Sequence, residues 1–349
     1  MSKNPSIAFP DFTYKRPDLE KQEKAFRAVL AQLAEADSPK AAIVAVEGID
    51  SIRASVATAY NICYIRYSID TRDEFYKAEK AWFDENLPAT EAWRMDYYRA
   101  LISSPHRAAL EERFGTQIFS TAELSIKTFQ PELIEDLQTE NKAFSEYTQL
   151  KGGAQVNLEG ETYNLSSIVP KEQVADREAR KRASSAKWNW MAEHQRQIEG
   201  IYDELVKLRH KMALMLGYDN FTELGYARMN RTDYGPEQVN TFREEVKKYI
   251  VPIASRLAAN QAKRIGVDRL HYYDVNFRFP DGNPTPGGEM ADTVAAARKL
   301  YDNLSEETGS FFRLLEERQL MDLEAKDGKA TGGYCTYIND YGAPYIFSN

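Results

Sequence analysis

Apolar residues recur every three or four positions along most of this chain, the spacing that places them on one face of an α-helix. The first such stripe begins near Asp18 and contains Leu19, Phe26, Val29, Leu30 and Leu33. A second stripe contains Ile49, Ile52, Val56, Tyr60, Cys63 and Tyr67, and further stripes follow as far as residue 150. Because the connections between the stripes are short, the pattern predicts an antiparallel helical array over residues 18–150.

The period changes from helical to alternating just after residue 150. Lys151-Gly152-Gly153 interrupts the helical pattern, and apolar residues then alternate with polar ones on either side of the turn residues Glu159-Gly160. Such alternation around a glycine-containing turn is typical of a β-hairpin. We therefore expect a short hairpin within residues 151–170.

Helical spacing returns after this hairpin. It predicts one long helix from about Lys171 to Leu216, with Gly200 as a place where the helix could break, because glycine costs ~1 kcal/mol relative to alanine in a helix interior. Further helices are expected from Pro236, over 289–304 and over 305–318. The last stretch, 332–349, consists of two short β-like runs around a turn. The predicted fold class is mainly α: a helical array with two small β-hairpins.

Composition narrows the range of partners. The net charge is −8, from 53 acidic and 45 basic residues, which argues against nucleic acid because phosphate binding needs a basic surface. No apolar run approaches the ~18 residues of a membrane span, so we expect no membrane partner. The two cysteines, Cys63 and Cys335, are too far apart in sequence to suggest a disulfide framework. These features favour a cytoplasmic protein.

Several segments in the second half of the chain resemble, in order, the oligoendopeptidase F family of zinc metallopeptidases, which is related to thimet oligopeptidase. The matching segments are Asp176-Arg177-Glu178-Ala179-Arg180, Leu216-Gly217-Tyr218, Tyr226-Ala227-Arg228-Met229, Leu270-His271-Tyr272-Tyr273-Asp274 and Gly332-Gly333-Tyr334-Cys335. The resemblance covers roughly residues 150–349 well and the N-terminal helices loosely.

The resemblance implies a partial thimet-oligopeptidase-like channel fold, in which helices enclose a cleft that admits short peptides. It implies three regions: an N-terminal helical region (1–150), the β-hairpin (151–170) and the first part of the peptidase catalytic domain (171–349), incomplete at its C-terminus. The intact protein would be a zinc-dependent oligoendopeptidase that hydrolyses peptide bonds in short peptides. Its partners would be an oligopeptide substrate and the missing C-terminal portion of the catalytic domain.

The chain departs from the family pattern at the metal site. That site needs two histidines at positions i and i+4 with a glutamate between them. None of the four histidines, His106, His194, His210 and His271, has a partner at this spacing. We therefore assign no catalytic residue and no metal ligand, expect no zinc bound to this segment, and predict that the segment alone is inactive.

Two groups of residues are candidates for substrate binding. Tyr272 and Asp274 begin a loop rich in proline and glycine, which could border a cleft or could simply be anchored by these two residues. The final strand, Tyr345, Ile346, Phe347, Ser348 and Asn349, could pair with an extended peptide, as strands beside the metal often do in zinc peptidases. The alternative for these five is a core strand of the small sheet.

Other functions remain open at this stage. The chain could be a free-standing, non-catalytic helical protein that binds peptides or a partner, or the missing half could be supplied as a separate chain. An exposed apolar strand at Phe347 would favour a covering partner, because uncovered apolar strands promote aggregation.

Overall fold

The first half of the molecule is the predicted array of antiparallel helices. The computed structural model describes residues 7–285 and 287–349, so residues 1–6 of the expected N-terminal region lie outside it. The helices are α1 (Leu19–Ala34), α2 (Pro39–Ile69), α3 (Glu74–Ser103), α4 (Arg107–Phe114), α5 (Gln117–Ser125) and α6 (Ile134–Gly152). The side chains of Asp18, Ser38 and Asp73 cap the first three by accepting hydrogen bonds from backbone N–H groups.

The core of this half is formed by the predicted apolar stripes. Phe26 of α1, Ile49 of α2 and Tyr97 of α3 are each no more than 1% exposed and belong to one cluster. Trp93 and Leu101 of α3 join the same cluster. Burial of these side chains supplies the main driving force for the helical array, since each large apolar side chain contributes about 1.5–3 kcal/mol.

The first predicted hairpin is present as β1 (Val156–Leu158) and β2 (Glu161–Tyr163), paired antiparallel. The prediction of one long helix from Lys171 to Leu216 is wrong in two respects. It begins only at Arg177, and it is divided into α7 (Arg177–Glu193) and α8 (Gln195–Met215), with the break at His194 rather than at Gly200. The imidazole Nδ1 of His194 donates to the carbonyl of Trp190 at 2.8 Å, a carbonyl that also accepts from the His194 backbone N–H at 3.2 Å, and the two rings stack.

The remaining helices are α9 (Phe221–Arg228), α10 (Pro236–Glu245), α11 (Val251–Arg264), α12 (Met290–Leu304) and α13 (Glu306–Glu317). One π-helical turn, Val246–Ile250, joins α10 to α11. Pro252 lies in the first turn of α11, where its missing N–H is tolerated.

The second predicted hairpin is confirmed as β4 (Gly333–Ile338) and β5 (Ala343–Ser348). A third strand, β3 (Met321–Asp322), was not predicted; it pairs parallel to β5, and the sheet order is β3-β5-β4. One face of this sheet packs into a core with α2 and α13 through Tyr345, Phe347 and Ile338. The pairing register of β4 and β5 places Cys335, Tyr337 and Ile346 on the other face of the sheet, where Cys335 and Tyr337 are exposed.

Candidate functional site

A cleft lies between α2 and α3 and is made of two adjoining cavities. One, of about 490 Å³, extends to α6 and α9, and the other, of about 630 Å³, extends to α1 and to Asn339 beyond β4. Tyr60, Leu87, Glu91 and Arg94 line both cavities, so the two form one continuous depression. The cleft therefore runs from the N-terminal helices to the turn that follows the edge strand β4.

Pro88 shapes the wall of this cleft from within α3. A proline inside a helix donates no hydrogen bond, so the carbonyl of Asp84, four residues earlier, loses its helical partner. The side chain of Asn141 on α6 donates to that carbonyl at 3.4 Å, and Gln138 donates to the neighbouring carbonyl of Glu85 at 2.6 Å. These two contacts fasten α3 to α6 beside the cleft.

A buried polar trio lies at the same place. The ammonium of Lys80 donates to Asp84 Oδ1 at 2.5 Å and to Ser145 Oγ at 2.9 Å, and Ser145 Oγ donates to Asp84 Oδ2 at 2.5 Å. Lys80 and Asp84 are each 5% exposed, and both line the first cavity. A buried ion pair is tolerated because its hydrogen bonds are satisfied in this way.

A row of aromatic rings connects the cleft to the terminal sheet. Tyr60 stacks on Tyr64 with ring centroids 5.8 Å apart, Tyr64 contacts Tyr334 at 5.2 Å, and Tyr334 stacks on Phe347 at 4.9 Å. Burial raises the pKa of the Tyr60 and Tyr64 hydroxyls above the ordinary value of 10.0, which already keeps a tyrosine protonated near neutral pH, so both can donate hydrogen bonds.

The predicted substrate strand, Tyr345 to Asn349, is largely the central strand of the sheet. Ile346 and Phe347 are paired with β3 on one side and with β4 on the other. Tyr345 and Phe347 are each 2% exposed in the core, so the exposed apolar strand considered at Phe347 is wrong. The Asn349 side chain donates to the carbonyls of Lys329 and Ala330. A peptide could add a strand only at an edge, and β4 is the edge that adjoins the cleft through Tyr334. The substrate role of these five residues stays a prediction.

The other predicted residues lie on the loop that follows α11. Asp274 is completely buried and accepts hydrogen bonds from Arg177 at 2.8 Å and from Arg180 at 3.0 Å, which ties the loop to α7. Burial alone would raise the pKa of Asp274, but the hydrogen bonds from Arg177, the His271 backbone and Arg180 outweigh it and lower the pKa to about 2. Tyr272 is 55% exposed, and neither residue lines the cleft between α2 and α3. Their role as a channel wall stays a prediction.

The residues present do not fit a zinc site. Within residues 7–285 and 287–349, no group of three or more His, Cys, Asp or Glu side chains is placed to hold a metal ion. Three of the four histidines have other contacts: His106 Nε2 with the Ala36 carbonyl, His194 with Trp190, and His271 with the ring of Tyr273.

The sequence analysis missed most residues that line the cleft. Tyr60 was counted only as part of a helical stripe, whereas Lys80, Asp84, Arg94 and Ser145 were not singled out. A proline in the middle of a long helical pattern, with Lys80 and Asp84 one turn apart just before it, was the available signal.

Comparisons with known proteins agree with this architecture. Residues 9–129 match the peptidase M3 N-terminal domain, and residues 172–281 match peptidase family M3. The chain belongs to the peptidase M3 family. The structure of PZ peptidase A with inhibitor 2 is 48% identical in sequence with a TM-score of 0.96, and it aligns with 98% of this chain and 61% of its own.

Two further structures of this M3 peptidase fold, both described as putative oligoendopeptidase F, have TM-scores of 0.96. The one from Bacillus anthracis str. Ames is 46% identical over 98% of this chain and 63% of its own length. The other is 47% identical over 98% of this chain and 61% of its own. A comparison with curated proteins gives no match. The chain thus spans less than two thirds of the length of these solved relatives.

The same M3 segment is free of membrane-spanning helices as far as the structure describes it. None of the helices in residues 7–285 and 287–349 combines the length and hydrophobicity that crossing a bilayer requires.

Proposed function

We propose that this chain forms the cleft of a zinc-dependent oligoendopeptidase that hydrolyses short peptides, and that residues 1–349 alone do not cleave them. The observation that carries the proposal is the cleft between α2 and α3 within a fold shared with PZ peptidase A and oligoendopeptidase F. Within this proposal, residues 1–150 form one wall of the cleft, the hairpin follows, and residues 171–349 begin the catalytic domain of a cytoplasmic enzyme.

The chemistry of the cleft suits an extended peptide. The second cavity is lined by apolar side chains such as Phe26, Val56 and Leu87, which would accept an apolar side chain. The first cavity offers donors such as Tyr60 and Arg94 to peptide carbonyl groups. Pairing along the edge of β4 would hold the peptide through its backbone, which suits substrates of varied sequence.

Zinc dependence rests on the family to which the chain belongs rather than on any ligand set in this chain. The His-Glu-x-x-His spacing that zinc peptidases of this kind use does not occur among the four histidines of residues 1–349. We therefore derive no step of hydrolysis from these residues.

Exposed apolar surface supports the proposal that a further portion of the catalytic domain packs against this chain. The helix from Pro236 to Arg264 is exposed along nearly its whole length, and Phe242, Ile250 and Leu257 on it are 68%, 56% and 63% exposed. Apolar side chains repeated on one face of a helix normally pack against another element. We propose that this exposed helix packs against the portion of the fold that the solved relatives contain and this chain does not span.

A reconstitution experiment tests this function. The purified 349-residue chain, incubated with zinc and an internally quenched nonapeptide, should show no cleavage. Addition of the separately produced remaining portion of a solved relative should give cleavage that a chelator abolishes. Chelator-sensitive cleavage by the chain alone would refute the predicted inactivity. Peptide binding without any reconstituted cleavage would favour the non-catalytic alternative instead.

A further inference from the structure

Hydrogen-bond donors without partners are concentrated where the two cavities of the cleft meet. Arg94 lines both cavities and donates through Nη2 to Glu91, whereas its Nη1 has no partner among the described residues. The Tyr60 hydroxyl likewise has no partner in the described part of the chain, and burial raises its pKa and keeps it a donor.

The carboxylate of the buried trio beside the junction is already occupied. Both carboxylate oxygens of Asp84 accept hydrogen bonds from Lys80 and Ser145. Arg228, the other cation of the first cavity, is held by the buried carboxylate of Glu140 at 2.6 Å. Among the described residues, the junction itself keeps the free donors of Arg94 and Tyr60 beside one free oxygen of Glu91, and the positive charge of Arg94 can bind an anionic acceptor.

Some arginine side chains in this protein bind two carboxylates at once. The guanidinium of Arg72 binds both Asp70 and Asp327, and that of Arg107 binds both Glu111 and Glu123. Arg94 holds Glu91 in the same manner through one of its nitrogens and leaves another for a ligand.

The apolar lining of the second cavity begins beside Arg94, at Leu87. Leu87 and Arg94 line both cavities, and Phe26, Ile52 and Val56 continue the lining of the second. A ligand bound at Arg94 would therefore have an apolar surface directly beside its anionic group.

We infer that the junction at Arg94 and Tyr60 binds the C-terminal carboxylate of a peptide, while the terminal apolar side chain occupies the second cavity. This inference rests on the proposed peptide-binding function and names the end of the peptide that is recognised. A terminal residue carries its side chain and its carboxylate on one carbon, which matches the adjacent apolar and donor surfaces better than an acidic side chain does.

Calorimetric titration of the 349-residue chain with three peptides tests the inference. The probes are a short polyalanine peptide that ends in phenylalanine with a free carboxylate, the same peptide amidated, and an amidated peptide with glutamate before the final phenylalanine. The free acid should bind about 10- to 100-fold more tightly than either amide, since a hydrogen bond to a charged group is worth that much. An amidated glutamate peptide that binds as tightly as the free acid would overturn the assignment to the terminus.

Matched variants on α3 separate the contact from general effects on the fold. Arg94→Met should reduce the affinity for the free acid to that for the amide. Glu91→Gln should increase the affinity for the free acid, because it removes the carboxylate that competes for Arg94. Arg99→Met, on the same helix with a 57% exposed side chain, is the control and should preserve the difference. Thermal unfolding of each variant verifies that the chain is folded.

Other results of the titration would contradict the carboxylate site alone or the carboxylate site together with the cleft. Equal binding of acid and amide by the unmodified chain would overturn the carboxylate site while leaving the proposed peptide cleft intact. A difference that persists in Arg94→Met would also overturn it. Failure of all three peptides to bind would contradict both the site and the cleft.

Discussion

Asp274 shows how burial and charge together fix the loop after α11. Its carboxylate is fully buried, and Arg180, which pairs with it, is 2% exposed. Removing one partner of a buried ion pair costs about 3–5 kcal/mol because the other charge is left without compensation. The pair thus holds the loop that carries Tyr272 against α7.

Asp274→Asn is predicted to lower the free energy of unfolding by about 3 kcal/mol at neutral pH. The folded-state pKa, about 2, lies below the ordinary value of 3.8, so the ionised carboxylate contributes stability above 3.8. The contribution is lost as the pH falls through the folded-state pKa, so the difference between variant and unmodified chain should shrink from pH 3.8 towards pH 2. Urea unfolding at several pH values measures this, with exposed Asp268→Asn as the control. A difference that stays constant with pH would contradict the ion-pair account.

At the residue scale, the sequence indicates which residues are polar and close in sequence but not which of them are buried together. Tyr272 and Asp274 were identifiable as loop residues, but the arginines that bury Asp274 lie 97 and 94 positions earlier in the chain. The one-turn spacing of Lys80 and Asp84 was visible, whereas Ser145 lies 65 positions beyond Lys80. Only the packing of α3 against α6 brings the trio together.

At the scale of elements, the end of the sheet depends on one buried lysine. Lys329 Nζ donates to Asp322 Oδ1 at 2.6 Å, to the Glu324 carbonyl at 2.7 Å and to the carbonyl of Ser348. These contacts join the loop after β3 to the last residues of β5. Lys326 binds the same aspartate at 2.7 Å but is 48% exposed, so it forms a natural comparison.

Lys329→Met should destabilise the chain by about 3 kcal/mol or more, because it leaves the carbonyls of Glu324 and Ser348 and the Oδ1 atom of Asp322 without this donor. Lys326→Met should cost less than about 1 kcal/mol, as exposed ion pairs do. Chemical denaturation of both variants measures the two values. Equal losses of stability would show that Lys329 has no special part in closing the sheet.

Elements governed by local pattern were predictable, and those governed by distant contacts were not. The helices of residues 18–150 and both hairpins followed from the spacing of apolar residues. Strand β3 has two residues and pairs with β5 in parallel, so no local alternation identifies it. The break coincides with the bond between the His194 side chain and its own helix, and hydrophobic spacing carries no information about such a bond.

At the scale of the whole molecule, the long exposed helix from Pro236 to Arg264 dominates the uncovered apolar surface. Replacing Phe242, Ile250 and Leu257 by glutamine should reduce self-association of the chain at micromolar concentration, with a change in Tm of only a few degrees. Analytical ultracentrifugation measures the association, and Glu244→Gln with Lys248→Gln on the polar face is the control. A large fall in Tm would mean that these side chains already contribute to the folded core.

The most direct test of the account is hydrogen–deuterium exchange of the 349-residue chain with and without an unstructured hexapeptide. Binding in the cleft between α2 and α3, with strand pairing at β4, predicts slower exchange in residues 50–64, 84–94 and 333–339 when the peptide is present. Exchange unchanged in all three segments, or slowed only in segments remote from them, would contradict the claim that this chain forms a peptide-binding cleft.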